Sequence, residues 1–108
     1  MARRAARTDA NQTEIVKALR SIGALVWVSS GVGGGFPDLV VGYRRTIFLL
    51  EIKDGNKAPS AQKLTPDEEM FHQLWQGYDV YVVRSPEEAI NTVSNATTIS
   101  SSTKKRRV

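Results

Sequence analysis

Two apolar runs, residues 38–43 and 46–53, are separated only by Arg44 and Arg45. Two-residue connections join antiparallel strands, so this spacing predicts a β-hairpin, although Arg-Arg is not a favoured turn pair and leaves the turn type open. In the second run, Ile47 to Leu50 is apolar at every position, which is typical of a strand covered on both faces. The chain is therefore expected to build a sheet around this hairpin.

A helix and a strand are predicted before the hairpin. Thr8 or Asp9 can cap the helix, and Gly23 is placed to end it. One face of this helix carries the apolar residues Ile15, Leu19 and Ile22. Residues 24–28 are then expected to form a strand, and the glycine-rich residues 29–37 a loop.

A second helix is predicted after a polar loop, residues 54–63. Thr65, Pro66 and Glu68 supply the N-cap, the proline at N1 and the N3 acid of a capping box, and Gly77 is placed to end the helix. The side chains assigned to the core in this region are Met70, Phe71, Leu74 and Trp75, together with Trp27 of the first strand.

The remaining elements are a strand at residues 79–84 and a short helix. Ser85 to Glu88 repeats the capping pattern, and the helix is expected to run to about Val93. The predicted order is thus helix, three strands, helix, strand, helix, within one α/β domain at residues 9–93. Residues 1–8 form a basic segment, and residues 94–108 are expected to be a flexible basic tail.

Composition excludes several kinds of protein. A chain of 108 residues has room for one domain. The sequence has no cysteine, which excludes disulfides, thiolate zinc sites and cysteine nucleophiles, and fits a reducing cytoplasm. No apolar stretch follows the basic N-terminus as a secretory signal requires, and no run approaches the roughly 20 residues that cross a bilayer. A cytoplasmic protein is expected, without a membrane partner.

Charge is distributed unevenly along the sequence. The net charge is +4, but residues 9–103 contain eight basic and eleven acidic residues, a balance of −3. The other seven basic residues lie near the termini: Arg3, Arg4, Arg7, Lys104, Lys105, Arg106 and Arg107. Basic ends commonly contact nucleic-acid phosphates; the alternative is a pair of solvated tails that favour solubility.

Three charged residues lie at the ends of the two hairpin strands. Asp38 begins the first strand, and Glu51 and Lys53 end the second. Glu51 lies 13 residues after Asp38. Since side chains alternate along a strand, Glu51 and Lys53 point to one side and Ile52 to the other. Pairing of the strands can bring Asp38 beside them. The alternative is a solvated strand edge with a cross-strand ion pair.

Two converging carboxylates repel each other unless a cation neutralises them. Oxygen ligands favour a hard divalent ion, so Mg²⁺ or Mn²⁺ is the expected cofactor. Lys53 can then orient or help deprotonate an attacking water and stabilise charge on a phosphate. This combination indicates phosphodiester hydrolysis.

Gly33 to Gly42, with its Gly-Phe-Pro-Asp turn, and Phe48 to Lys53 resemble the VRR-NUC family of the PD-(D/E)XK nuclease superfamily. The resemblance covers roughly residues 12–90 and is to the stand-alone phage and bacterial type. It implies an α/β, restriction-endonuclease-like αβββαβ core, in which helices flank a central mixed sheet. It also implies a metal-dependent DNA endonuclease.

Site roles follow from the resemblance position by position. It makes Asp38 and Glu51 metal ligands together with the backbone carbonyl of Ile52, makes Lys53 the catalytic lysine, and implies a catalytic and metal-binding role for the first-helix acid, here Glu14. Glu14 can border the apolar helix face and look toward the sheet, or be an ordinary surface acid. The second helix departs from the family, because Glu68 or Glu69 stands where a glutamine is frequent.

DNA contacts are expected from Arg44 and Arg45 at the turn, from Lys57, and from the C-terminal basic residues; solvated side chains are the alternative. The glycines at residues 31–35 can admit a DNA backbone or form a mobile connection. They are not a nucleotide-binding loop, since no Gly-Lys-Ser/Thr follows, so no nucleotide cofactor is expected. His72 is interpreted as a surface or boundary residue.

The activity expected first is structure-selective cleavage, since stand-alone members of the resembled family act as homodimers that cut four-way (Holliday) junctions. A nicking or flap nuclease, or a restriction-type enzyme with other subunits, is the alternative within the enzyme class. A nucleic-acid-binding module that has lost catalysis is the alternative outside it. That reading expects disrupted catalytic positions, whereas Asp38, Glu51 and Lys53 are all present.

Overall fold

The computed structural model describes residues 10–95, which form three helices around a four-stranded sheet. The predicted terminal segments lie largely outside the described residues. The elements are α1 (Ala10–Ser21), β1 (Leu25–Val28), β2 (Leu39–Tyr43), β3 (Thr46–Ile52), α2 (Pro66–Leu74), β4 (Val80–Val83) and α3 (residues 86–95). A short 3-10 turn, Pro59–Gln62, interrupts the loop predicted at residues 54–63. The predicted order of elements is confirmed.

The sheet is mixed, with the strand order β1-β2-β3-β4. β1, β2 and β3 pair antiparallel, and β4 lies parallel to β3. The crossover through α2 makes the parallel pair possible, since parallel neighbours need a long connection. The α/β fold with a mixed sheet flanked by helices agrees with the prediction.

Arg44 and Arg45 form the predicted hairpin turn between β2 and β3. Both have positive φ, 50° and 67°, as a two-residue type I′ turn requires. Asn and Gly adopt this conformation with the least strain, which explains why the arginine pair left the turn type open.

One face of the sheet forms the core, beneath α1 and α3. Strand pairing puts Leu39 beside Leu50 and Val41 beside Phe48 on this face, and all four are fully buried. The helices contribute the buried residues Ile15, Leu19, Ala89 and Val93. The apolar faces of α1 and of the strands, which the 3.6-residue and two-residue periods predicted, therefore pack into one core.

The opposite face is covered less than the sequence predicted. Trp27 and Trp75, assigned to the core, are 75% and 40% exposed, and Ile47, assigned to a strand covered on both faces, is 68% exposed. α2 has no buried residue, so the predicted buried stripe is also wrong. The helix packs instead against the loop before β2, where Phe71 meets Phe36 edge-on at a centroid distance of 5.4 Å.

The last helix continues beyond its predicted end. Residues 86–95 are helical, whereas the sequence predicted an end near Val93 and a flexible tail from residue 94. Ser and Thr have low helix propensity, which explains the early boundary. Within residues 10–95 no helix has the length and apolar character needed to cross a bilayer.

Candidate active site

The register of the hairpin brings the two acidic residues together. Leu39 pairs with Leu50, so Asp38, one residue before Leu39, is adjacent to Glu51, one residue after Leu50. Both project from the sheet face that bears α2, because side chains alternate along each strand. The alternation predicted for Glu51, Ile52 and Lys53 is therefore what brings charged groups to this end of the sheet.

Asp38 is fixed by a backbone hydrogen bond. Its Oδ2 accepts from the N–H of Ile52 at 2.8 Å, and its carbonyl accepts from the N–H of Ser29, also at 2.8 Å. The Ser29 hydroxyl donates to the carbonyl of Pro37 at 2.9 Å. The Pro37-Asp38 turn is thereby anchored to both neighbouring strands, which limits the positions that the Asp38 carboxylate can take.

Glu51 is buried beside Asp38 and Lys53. It is 3% exposed, and its Oε2 lies 3.9 Å from the Nζ of Lys53. A residue this buried is incompatible with the alternative of a solvated strand edge. Burying a carboxylate is costly unless an opposite charge or hydrogen bonds compensate it. The surroundings of Glu51 therefore determine whether its carboxyl group is protonated.

Burial, followed by the neighbouring carboxylates of Asp38 and Glu68, raises the pKa of Glu51 to about 9. Burial also raises the pKa of Asp38, while the N–H of Ile52 opposes the shift. Two acids with raised pKa values are the expected result of like charges meeting in a desolvated site. Such a site favours either a shared proton or a bound cation.

The N-terminus of α2 adds a third acid to this cluster. Glu68 Oε1 accepts from the Nζ of Lys53 at 2.9 Å and from the N–H of Thr65 at 2.9 Å. Burial acts to raise the pKa of Glu68, but the ammonium of Lys53 and the N–H of Thr65 outweigh it and the pKa is lowered. Glu68 is therefore held as a carboxylate against Lys53.

His72 lies one helical turn after Glu68. Its Nε2 is buried without a hydrogen-bond partner. Burial lowers its pKa, with opposing influences from Glu68 and Lys53. The interpretation of His72 as a boundary residue agrees with its partial burial, but the sequence did not indicate that it would lie close to the charged cluster.

The residues present fit a divalent cation. Glu51 Oε1 is buried and accepts no hydrogen bond, so it is available to a metal ion. Within residues 10–95 no three side chains of the Asp, Glu, His or Cys type are arranged to hold a metal ion. The ligand set that the resemblance implies, Asp38, Glu51 and the Ile52 carbonyl, would leave positions for water and phosphate, which is how Mg²⁺ is commonly bound.

Glu14 is not brought to this cluster. It is exposed on α1, and it contributes to neither raised carboxyl pKa. The buried positions of α1 include Gln12 and Ile15, so the helical rotation of about 100° per residue turns Glu14 away from the sheet. α1 reaches the site through Asn11 instead, whose Nδ2 donates to the carbonyl of Lys53 at 3.2 Å.

The predicted DNA-contacting residues lie at varying distances from the acids. Arg44 and Arg45 are exposed at the hairpin turn, at the other end of β2 from Asp38 and roughly 20 Å away at about 3.4 Å per residue. Lys57 is exposed in the loop that follows β3, four residues after Lys53 in the sequence. The predicted contacts at Lys104, Lys105, Arg106 and Arg107 lie outside the described residues.

Sequence reasoning did not identify the contributions of Glu68 and His72. The capping box fixed the position of Glu68 on α2, and the four-residue spacing put His72 on the same helix face. How α2 docks on the sheet could not be predicted from the sequence, so neither residue could be assigned to the site. Asn11 had no signal of its own, being an ordinary polar residue near a helix start.

Comparisons with known proteins agree with the resemblance seen in the sequence. No protein-family model matches the chain, and no curated protein matches it. A solved structure described as a VRR_NUC domain is similar, with 27% sequence identity and a TM-score of 0.55. The similarity covers 77% of this chain and 89% of that structure. The resemblance is thereby confirmed at the level of the fold: this chain has the fold of a VRR-NUC domain.

Proposed function

We propose that the chain is a metal-dependent DNA endonuclease that hydrolyses phosphodiester bonds. The observation that carries the proposal is that half-buried Asp38 and buried Glu51 lie at paired strand positions, with the ammonium of Lys53 at 3.9 Å from Glu51. Likeness to a VRR_NUC domain structure supports a nuclease. Mg²⁺ or Mn²⁺ is the proposed cofactor, because both ligand side chains offer oxygen atoms.

Each residue has a distinct task in this mechanism. Asp38 and Glu51, with the carbonyl of Ile52, would bind the metal ion, and the N–H of Ile52 orients the Asp38 carboxylate. When bound, the ion polarises a phosphoryl oxygen and lowers the pKa of a bound water. Lys53 orients the attacking water and stabilises negative charge on the phosphate. Glu14, exposed on α1, has no role in this proposal.

The substrate is proposed to be branched DNA, with a four-way junction first, cut by a homodimer. Two features support this finer proposal beside the family resemblance. The residues between the basic ends carry a net charge of −3, so one copy has limited attraction for DNA. The sheet face beside the site also exposes large apolar side chains, among them Trp27 and Ile47, as protein interfaces do.

DNA contacts outside the metal site are proposed for basic residues. Lys57 and the C-terminal residues Lys104, Lys105, Arg106 and Arg107 would contact phosphates close to the site or flanking it. Arg44 and Arg45 would contact a more distant part of the substrate, since they lie at the other end of β2. Phosphate contacts of this kind add affinity without reading sequence.

Cleavage of labelled DNA tests the proposal directly. Purified protein is incubated with duplex, flap, single-stranded and four-way-junction DNA in the presence of Mg²⁺, Mn²⁺ or EDTA. We expect metal-dependent cutting, fastest on the junction, and a loss of at least about 100-fold in both Asp38→Ala and Lys53→Ala, because each removes a group that acts on the transition state. Exposed Glu69 provides the control, since Glu69→Ala should cut like the wild type.

The outcomes separate the candidate functions. Equal cutting by the wild type and both active-site variants would identify a contaminating nuclease and refute the proposal. Binding of DNA without any cutting would favour the non-catalytic binding module. Faster cutting of flaps or nicking of duplex DNA would retain the chemistry and replace the junction substrate.

A further inference from the structure

Lys53 lies between two carboxylates, and the nearer one belongs to α2. The distance from its Nζ is 2.9 Å to Glu68 Oε1 and 3.9 Å to Glu51 Oε2. Only the contact with Glu68 is a hydrogen bond. The helix, rather than the strand that carries the lysine, therefore determines where the ammonium group rests.

Glu68 is itself held in place. The same Oε1 that accepts from Lys53 accepts from the N–H of Thr65, and the N–H of Glu68 donates to Thr65 Oγ1 at 3.2 Å. These reciprocal bonds form the capping box of α2. The side chain is 18% exposed, so both its hydrogen bonds and its packing restrict its rotamer.

The first turn of α2 is also fixed relative to Asp38. Gly35, three residues before Asp38, lies so close to this turn that a Cβ there would overlap the carbonyl of Asp67. Gly35 has φ of 86°, a conformation that glycine adopts without strain. The close approach of Gly35 to Asp67 thus links the segment that carries Asp38 to the helix turn that carries Glu68.

We propose that Glu68 is a positioning residue for Lys53: it links the lysine to the capping box of α2, so that the helix sets the place of the ammonium beside Glu51. This inference rests on the proposed function, in which Lys53 acts on the phosphate. The essential feature of Glu68 is an oxygen that accepts two hydrogen bonds. An amide oxygen can replace it, whereas a methyl group cannot.

The test compares three variants in single-substrate kinetics. Glu68→Ala should lower kcat about 10- to 100-fold with little change in KM, the range seen when a group that orients a catalytic ligand is lost. Glu68→Gln should stay within about 3-fold of the wild type, because its amide oxygen accepts both bonds. Glu69→Ala changes the next residue of the same helix, an exposed acid outside the capping box, and should keep kcat.

A second readout does not depend on activity. The NMR signal of the Lys53 Cε methylene should shift in Glu68→Ala and remain in place in Glu69→Ala. An unmoved signal in Glu68→Ala would overturn the proposal, as would equal losses of kcat in Glu68→Ala and Glu68→Gln, or in Glu68→Ala and Glu69→Ala. If the wild type cuts no DNA, the proposed function fails, while the NMR comparison still decides whether Glu68 positions Lys53.

Discussion

Glu51 is a buried acid whose neighbours include two further carboxylates. Its pKa is raised to about 9 from 4.5 by burial and then by Asp38 and Glu68. In the metal-free protein, the folded state therefore keeps a proton that the unfolded state releases above about pH 4.5. Between these two pH values the folded state binds more protons, so rising pH must lower the free energy of unfolding.

Replacing Glu51 by glutamine should remove this pH dependence. With EDTA present, the free energy of unfolding of the wild type should fall between about pH 5.5 and about pH 8.5, because the unfolded state releases the proton that Glu51 keeps in the folded state. Glu51→Gln stays neutral and should lose less stability over the same range. Urea unfolding at the two pH values measures the difference.

Glu69→Gln is the control for this comparison, because Glu69 is an exposed acid on α2. It should follow the wild type. Parallel loss of stability in the wild type and in Glu51→Gln would mean that Glu51 is ionised in the folded, metal-free protein. The carboxyl pair would then require no cation to compensate it.

At the scale of elements, sequence patterns predicted the features that depend on residues close together in the chain, such as helix starts and hairpins. The capping box of Thr65 and Glu68 fixed the start of α2. The two-residue spacing at Arg44-Arg45 fixed the hairpin of β2 and β3. The hairpin in turn fixed the meeting of Asp38 and Glu51, because strand register follows from turn length. The sheet and the carboxyl pair could therefore be predicted from the sequence.

The docking of α2 could not be predicted in the same way. Its apolar residues have helical spacing, yet Met70 and Leu74 are 57% and 73% exposed. Periodicity shows which side chains share a face, but not whether another element covers that face. The same gap concealed Glu68 as a neighbour of Lys53.

Gly35 offers a test of how closely α2 must approach the sheet. Gly33 and Gly35 have nearly equal φ values, 85° and 86°, but only at Gly35 would an added Cβ meet another residue. Gly33→Ala should cost about 1–2 kcal/mol of stability through backbone strain. Gly35→Ala should cost about 1–3 kcal/mol more, because its methyl must displace the Asp67 carbonyl.

Urea unfolding of the two variants measures this difference, and cleavage assays extend it. Gly35→Ala should also reduce cutting, since displacement of the first α2 turn moves Glu68 from Lys53. Equal stability of the two alanine variants would contradict the close approach. Neither of the sequence-based readings of the glycine run, DNA approach or a mobile connection, included this packing requirement.

For the molecule as a whole, the sheet face opposite the core exposes apolar side chains that a second protein chain could cover. Leu25 and Trp27 on the edge strand β1 are 77% and 75% exposed, and they line a groove with Val40 and Ile47. A second groove, lined in part by Trp75 and Tyr78, shares Val40 and Ile47 with the first. The exposed apolar surface is thus continuous, and the proposed homodimer would bury it.

Substitution of this face should separate the dimer. In sedimentation velocity the wild type should migrate as a dimer, and Trp27→Glu and Ile47→Glu as monomers, because each would bury a carboxylate in an apolar interface. Val32, exposed in the glycine-rich loop, provides a matched control, and Val32→Glu should remain dimeric. A wild-type monomer, or dimers in all variants, would contradict the use of this face.

The central claim, that Asp38 and Glu51 hold one divalent cation, is tested most directly by Mn²⁺ binding. Electron paramagnetic resonance of free Mn²⁺ during titration should give about one site per chain in the wild type, and binding at least about 10-fold weaker in Asp38→Asn and Glu51→Gln, since each removes a charged ligand. Asp67→Asn, a change at an exposed acid on α2, should bind like the wild type. Equal Mn²⁺ affinity in all four proteins would contradict the claim.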